Sequence, residues 1–197
     1  MKVASLLVIL SMAAGAAAAD TVKAGYWLDL TRSGMVVEAR VLGAPVSAGF
    51  ASKWGTLRAD AAGRAGALDL HVDTSSVYAS VGWVEERLKG PSFLDVQTYK
   101  AGRLTIEALQ LPLQAGSVRA AVTLRGTTKH LDLAAGRPEC DPPGPVRQIC
   151  RIVLSGIITL AEFGMGSALP GIPRTARLVL TLAIGSGAGP DAGAESM

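Results

Sequence analysis

Several kinds of residue that specialised proteins concentrate are scarce in this sequence. Aromatic residues make up 5% of its 197 residues, and it contains two histidines and two cysteines. The formal net charge is +3 at pH 7, and the basic residues are spread along the chain rather than clustered as a nucleic-acid-binding face requires. No apolar run reaches the roughly 20 residues of a membrane-spanning helix. We therefore expect a soluble protein that does not bind nucleic acid.

Recognisable catalytic arrangements are also missing. The sequence has no G-x-S-x-G nucleophile motif, and Glu85 and Glu86 are adjacent on a predicted helix and point apart, which is poor geometry for an acid–base pair. His71 lies beside Asp69 and Asp73 on the polar face of a predicted strand. Such a trio could bind a metal, but an exposed strand face is the preferred interpretation because no further His or Cys ligands accompany it. We expect neither an enzyme nor a metal protein.

The first residues follow the order of a secretory signal peptide. Lys2 supplies a positive charge, Val3–Met12 is almost entirely apolar, and small residues lead to Ala19. We predict cleavage after Ala19 and export to the periplasm, with secretion as the alternative. The predicted organisation is a signal peptide over 1–19, one folded domain over 20–184 and a disordered tail over 185–197, where apolar bulk is almost absent.

Two cysteines, Cys140 and Cys150, lie in the predicted exported part of the chain. Exported proteins reach an oxidising compartment, where disulfides form and persist. The segment Asp141–Pro145 between them is turn-prone, so a bridge would join the two ends of one hairpin loop. The C-x-x-C spacing of a redox pair is absent. We predict a structural disulfide.

Apolar and polar residues alternate along most of the chain, as in Val118–Leu124, Leu104–Ala108 and Leu178–Ile184. A period of two with one apolar face is typical of antiparallel strands that are half exposed to water, and its repetition favours a sandwich or a barrel. The predicted strands cover approximately 25–31, 34–42, 48–59, 65–74, 102–110, 116–125, 128–135 and 149–160, with a closing strand over 175–184.

One segment departs from this alternation. Val81, Val84 and Leu88 have helical spacing, and Gly90–Pro91 ends the run, so we predict a short helix from Ser80 to Lys89. The sequence also predicts a tight turn over Arg125–Thr128 between two strands.

Three blocks of the sequence resemble the YceI-like protein family, and the resemblance runs from about Gly25 to Gly185. The blocks are Asp73–Val77 (DTSSV) with Glu85–Lys89 (EERLK), Ser92–Val96 (SFLDV) and Tyr99, then Val122–Lys129 (VTLRGTTK), then Glu162–Met165 (EFGM). The resemblance implies an all-β fold, a lipocalin-like extended antiparallel β-barrel of about eight strands with the short helix inserted near 80–89. It also implies export in bacteria, a polyisoprenoid (isoprenoid-quinone-like) or similar long-chain amphiphile held non-covalently in the lumen, and no catalysis or cofactor.

A lumen lined by Val, Leu, Ile and Ala favours an apolar guest over water, and the scarcity of aromatics leaves few groups large enough to fill it. The candidate ligand-binding residues are Leu70, Val72, Trp83, Phe93, Tyr99, Ile106, Val122, Leu124, Leu154, Phe163, Met165 and Leu180. Trp83, Phe93 and Tyr99 surround the helix at one barrel mouth, where they either contact the lipid or pack beneath the helix. Arg125 and Lys129 flank the tight turn, where they either meet an anionic head group or face solvent.

Two other functions stay open at this stage. A protein with the same barrel and a filled core would act through its surface, and composition alone favours it at least as well as a pocket. A hydrolase of small lipids or esters would require a serine or histidine at the barrel mouth, and the sequence offers no obvious one. For partners we expect the lipid ligand, a possible transient membrane contact, and a monomer or homodimer.

Overall fold

The computed structural model describes residues 25–51, 53–142, 147–166 and 173–187, and these form one antiparallel β-sheet with a single α-helix. The predicted signal peptide and the residues after 187 lie outside the described part. The strands are β1 (Tyr26–Leu28), β2 (Gly34–Val41), β3 (Ala44–Phe50), β4 (Lys53–Ala59), β5 (Ala65–Asp73), β6 (Val77–Ala79), β7 (Ala101–Gln110), β8 (Gly116–Leu124), β9 (Thr127–Ala135), β10 (Glu139–Cys140), β11 (Arg147–Thr159) and β12 (Thr175–Gly187). The helix α1 (Gly82–Lys89) lies between β6 and β7.

The sheet is curled so that its two ends approach each other. The strands are hydrogen-bonded in the order β4-β5-β7-β8-β9-β11-β12-β2-β3-β6, with β1 paired to β12 and β10 to β11. β4 is therefore at one end and β3 next to the other, yet β3 ends at Phe50 and β4 begins at Lys53. Three Cα steps span at most about 11 Å. The described sheet is thus the curled antiparallel form that the predicted all-β lipocalin-like barrel requires.

The prediction of one strand over 48–59 is wrong, because this segment contains the crossing from one end of the sheet to the other. β3 pairs with β2 and β6, whereas β4 pairs with β5. The short strands β6 and β10 were not expected from the pattern, since runs of two or three residues carry no period. β12 continues to Gly187, three residues beyond the predicted end of the domain, because Gly185 and Ser186 pair with β1.

The predicted inward face of β7 is correct for Leu104 and Ile106 but wrong for Ala108. Ile106 pairs with Leu68 and Leu109 pairs with Gly66, so two residues of β7 face one residue of β5. This β-bulge inserts an extra residue and reverses the alternation that follows it. Ala108 is exposed as a result, and Leu109 is buried in its place.

Local predictions from helix, turn and cysteine signals are confirmed. The helix ends at Lys89, before Gly90–Pro91, as predicted, and it begins at Gly82, two residues after the predicted start. Arg125 and Gly126 form a two-residue hairpin loop, because Leu124 pairs with Thr127. The predicted disulfide is confirmed: Cys140 and Cys150 are bonded to each other and face each other across the β10–β11 hairpin.

The end of the sheet away from α1 is filled by side chains. Leu68, Ile106, Leu133, Leu154 and Leu182 are at most 1% exposed and belong to one continuous core. They come from five different strands, and their alternation places them on the concave face of the sheet. This half of the molecule is a packed core, so any internal space must lie at the other end.

Candidate functional site: an apolar cavity beneath helix α1

A cavity of about 110 Å³ lies at the end of the curled sheet that α1 covers. Its walls are almost entirely apolar, which disfavours water and favours an apolar guest. The lining residues are Met35, Val37, Ala39, Val41, Val46, Ala48, Phe50, Val77, Trp83, Val84, Arg87, Leu88, Phe93, Leu94, Arg103, Val122, Leu124, Ile158, Leu160, Met165, Pro173, Ala176 and Leu178. The cavity is smaller than the roughly 300–1,000 Å³ of pockets that bury a drug-sized ligand.

The hairpin β2–β3 contributes the largest share of the wall. Met35, Val37, Ala39 and Val41 follow the period of two in β2, with Val36, Glu38 and Arg40 on the outer face. In β3 the inward residues include Ala48. Ala39 and Ala48 are small, so this wall leaves space where the filled end of the sheet has leucines.

Helix α1 covers the cavity with one of its faces. Trp83, Val84, Arg87 and Leu88 line the cavity, and their spacing places them on one side of an α-helix. Val84 is buried in a small cluster with Val41 and Val46 of the β2–β3 hairpin. This cluster holds α1 against the hairpin.

The outer face of α1 is fixed by polar contacts. The Lys89 ammonium lies 2.8 Å from the Glu85 carboxylate, and the other oxygen of that carboxylate accepts a 3.4 Å hydrogen bond from the Ala79 N–H. The hydrogen bond from Lys89 is the main cause of a lowered pKa for Glu85. Two residues of the lining are also exposed, Trp83 at 51% and Arg87, and we infer that the mouth of the cavity lies beside them.

Arg125 fixes the loop that follows α1. Its guanidinium Nη1 donates to the carbonyl oxygens of Pro91, Phe93 and Gly164, at 2.9, 2.8 and 3.0 Å. Phe93 lines the cavity, and Gly164 comes directly before Met165, which also lines it. The sequence left two expectations for Arg125, contact with a head group or exposure to solvent. Neither describes the contacts of its guanidinium in the structure. It joins two segments of the cavity wall.

The polar face of β5 carries a network that involves Asp69. Arg103 donates two hydrogen bonds to the Asp69 carboxylate, at 2.8 and 2.7 Å, and His71 Nε2 lies 3.0 Å from it. The Arg103 hydrogen bond is the main cause of a lowered pKa for Asp69. His71 also stacks on Trp54, with ring centroids 5.5 Å apart.

Asp73, the third residue of the possible metal-binding trio, is not part of the Asp69 network and makes local hydrogen bonds instead. Asp73 accepts hydrogen bonds from the backbone N–H and hydroxyl of Ser75. Across the described residues no group of three or more His, Cys, Asp or Glu side chains is placed to hold a metal ion. The described part of the chain also contains no helix with the length and apolar character needed to cross a membrane.

The structure divides the predicted ligand-binding residues into two groups. Trp83, Phe93, Val122, Leu124 and Met165 line the cavity. The others lie elsewhere: Leu70, Val72, Ile106, Leu154, Phe163 and Leu180 are buried in the core at 1% exposure or less, and Tyr99 is half-buried with its ring 5.7 Å from the Arg125 guanidinium.

The sequence prediction missed the hairpin wall and most of α1. A strand over 34–42 is predicted, and its inward residues at 35, 37, 39 and 41 follow the period of two, so this part of the lining could have been found from the sequence. The inward side of α1 is different, because Val84 and Leu88 mark a buried stripe without revealing what lies under it. Ile158, Ala176 and Leu178 belong to recognised strands, but which end of a strand lines a cavity depends on its neighbours.

The comparisons with known proteins agree on one family. A model of the YceI-like domain matches residues 26–184, and no curated protein matches the sequence. Burkholderia cenocepacia BcnA has a similar structure, with a TM-score of 0.61 and 16% identity over 79% of this chain and 98% of that one. The Campylobacter jejuni YceI protein matches with a TM-score of 0.59 and 16% identity, and the match covers 69% of this chain and 82% of that one. A polyisoprenoid binding domain from Saccharophagus degradans matches with a TM-score of 0.57 and 17% identity, and the match covers 83% of this chain and 98% of that one. At these identities the solved structures establish the fold.

Proposed function

This chain belongs to the YceI-like domain family, and on that premise we propose that it is an exported carrier that holds a polyisoprenoid or another long-chain amphiphile in the cavity beneath α1. The observation that carries the proposal is an apolar cavity between the small side chains of the β2–β3 hairpin and one face of α1. The similar Saccharophagus degradans structure is described as a polyisoprenoid binding domain, which supports a prenyl chain as the ligand.

Burial of the chain alone would supply substantial binding energy. Each CH₂ group removed from water contributes about 0.8 kcal/mol, and no specific polar contact is needed for that gain. A cavity of about 110 Å³ is close in size to apolar cavities that accept a benzene-sized guest, roughly 150 Å³. A complete polyisoprenoid therefore has to displace α1 or extend through the mouth beside Trp83. We propose that α1 moves outward when the ligand enters.

The protein acts, in this proposal, by binding rather than by catalysis, and it needs no cofactor or metal. None of the described residues lining the cavity is a serine, a histidine or a carboxylate, whereas a hydrolase would require a nucleophile there. Periplasmic location rests on the signal-peptide pattern of residues 1–19, with secretion as the alternative. A transient membrane contact during loading, and a monomeric or homodimeric state, complete the proposal.

The test is to fill the cavity without altering the rest of the fold. Ala39→Phe places a ring in the cavity wall, whereas Ala108→Phe places the same ring on the exposed outer face of the sheet. Native mass spectrometry and organic extraction of the exported wild-type protein are expected to show about one prenyl or acyl chain per molecule. The Ala39 variant should lose it, and the Ala108 variant should retain it.

A second function is favoured by the filled end of the sheet. Leu133, Leu154 and Leu182 are completely buried there, so this end of the interior is closed to any ligand. A protein that is packed throughout would act through its surface. A wild-type protein that carries no lipid and does not bind added isoprenoids would support this function and contradict the carrier.

A further inference from the structure

Arg87 is a cation in the lining of an almost entirely apolar cavity. It lies on the cavity side of α1, one turn after Trp83, and its side chain is exposed. A long arginine side chain can lay its methylene groups along apolar surface and keep its guanidinium in water. The charged group of Arg87 is therefore positioned where the apolar lining ends.

The two arginines of the cavity lining differ in their partners. Arg103 is held by two hydrogen bonds to the Asp69 carboxylate, at 2.8 and 2.7 Å, so its charge is already neutralised. Arg87 has no side-chain hydrogen bond or ion pair among the described residues. Of these two guanidinium groups, Arg87 is the one whose five N–H donors are available to a ligand.

Among the described residues no carboxylate forms an ion pair with Arg87. Glu85 lies on the outer face of α1 with Lys89, 2.8 Å away, and Glu38 of β2 is paired with Arg177 at 3.7 Å. Glu86 is the next residue before Arg87 and is turned about 100° away from it around the helix.

We propose that the cavity selects amphiphiles with an anionic head group, a carboxylate or a phosphate, and that Arg87 binds this head group while the tail enters the cavity. The planar guanidinium donates two parallel N–H bonds to either group. This inference rests on the proposed function and adds the ligand class that the site takes. It predicts that a charged lipid binds more tightly than a neutral one with the same tail.

The test compares ligands that differ in the head group alone. Oleic acid and methyl oleate have the same chain, and at about pH 8 the acid is fully ionised. Binding is measured by isothermal titration, or by quenching of tryptophan fluorescence, below the concentration at which micelles form. We expect the acid to bind about threefold to tenfold more tightly than the ester. Farnesyl monophosphate and farnesol form a second pair. Comparison of the two pairs shows whether the site prefers a phosphate or a carboxylate.

Variants of α1 assign the preference to one residue. Arg87→Gln is expected to bring the acid and the ester to equal affinity with little loss for the ester. Arg87→Lys should retain part of the preference, because the charge remains and the fork geometry is lost. Lys89→Gln is the matched control, since it removes one positive charge from the outer face of the same helix, and it should leave the preference unchanged.

The outcomes separate this inference from the function on which it rests. Equal binding of acid and ester to the wild-type protein would overturn the inference and leave the lipid carrier intact. A preference that persists in Arg87→Gln would also overturn it. Failure of every ligand to bind the wild-type protein would contradict the carrier itself.

Discussion

At the scale of single residues, two hairpin loops have the same backbone conformation and different side chains. Leu42–Gly43 has φ angles of 52° and 83°, and Arg125–Gly126 has 49° and 71°. Two consecutive positive φ values in a two-residue loop are typical of type I′ turns, in which asparagine followed by glycine is preferred. Arg125 compensates for its unfavourable conformation with three carbonyl contacts. Leu42, at 72% exposure, shows no such compensation.

We predict that Leu42→Asn stabilises the protein by about 1 kcal/mol, because the left-handed conformation costs most L residues roughly that amount and costs asparagine less. Urea denaturation monitored by tryptophan fluorescence measures the change in free energy of unfolding. Gly43→Ala serves as the opposite control and should destabilise the same turn. A loss of stability in Leu42→Asn would mean that the leucine side chain contributes contacts that its exposure does not suggest.

At the scale of secondary-structure elements, the position of the loop after α1 depends on contacts from distant segments. The loop folds back on the helix, with hydrogen bonds from the N–H groups of Leu94 and Val96 to the carbonyls of Leu88 and Lys89. Gly166 N–H donates to the carbonyl of Ser92, which joins the loop to the segment after β11. Arg125 adds its three bonds from the β8–β9 turn. The cavity wall formed by Phe93, Leu94 and Met165 therefore comes from two segments of the chain, and Arg125 of a third segment joins them.

Arg125→Gln is expected to destabilise the protein by about 1–3 kcal/mol, since charged hydrogen bonds to otherwise unpaired carbonyls are lost. The melting temperature measures the effect, and limited proteolysis of the 90–96 loop should become faster. Lys129→Gln removes the other basic residue of this turn region, whose side chain forms no hydrogen bond or ion pair with the residues that the structure describes, and it should change neither quantity. Equal effects of the two substitutions would contradict a tethering role for Arg125.

At the scale of the whole molecule, the sheet has one filled end and one open end. Leucines from β5, β9, β11 and β12 occupy the filled end, whereas alanines and valines of β2 and β3 face the cavity. The filled end gives the fold its core without a ligand. The short helix α1 covers the cavity end, where its Val84 packs in a small cluster with Val41 and Val46 of the β2–β3 hairpin. It is the element that moves outward in the function we propose.

The carboxylates of the surface predict how the stability of the molecule depends on pH. The pKa of Asp69 is lowered mainly by the Arg103 hydrogen bond, that of Asp29 by the Thr31 hydroxyl and that of Asp73 by Ser75. A carboxylate whose pKa is lower in the folded protein than in the unfolded chain stabilises the fold at pH values above the unfolded pKa, which is near 3.8 for Asp. This stabilisation is lost as the pH falls through the folded pKa.

We therefore expect the melting temperature to be nearly constant around neutral pH and to fall at pH values below about 4. Asp69→Asn should be less stable than the wild-type protein at neutral pH, and the difference should shrink as the pH falls, because protonated Asp69 no longer has its charged contact with Arg103. Melting temperatures measured across this pH range test the prediction. A difference that stays constant at all pH values would show that the ion pair adds nothing to stability.

Much of this protein follows from patterns within a few residues. Alternation in Leu178–Ile184 places a buried strand, Gly90–Pro91 ends α1, and the spacing of Cys140 and Cys150 around a proline-rich turn predicts their bond. These features are local, because side-chain period, turn chemistry and chain reach act over short distances along the backbone. The YceI-like resemblance added the fold to them.

Other features exist only after distant segments meet. The bulge between β5 and β7 exposes Ala108. The crossing after Phe50 divides one predicted strand into two. The pairing of Arg103 with Asp69 leaves Arg87 as the lining arginine with no side-chain partner in the part of the chain that the structure describes. Likewise, no local pattern tells Leu154, in the packed core, from Ile158 at the cavity. The sequence by itself determined most of the residues that face inward, because the period of two is local to each strand. The tertiary structure decided which inward residues fill a core and which line a cavity, because a cavity depends on the sizes of side chains from strands far apart in the chain.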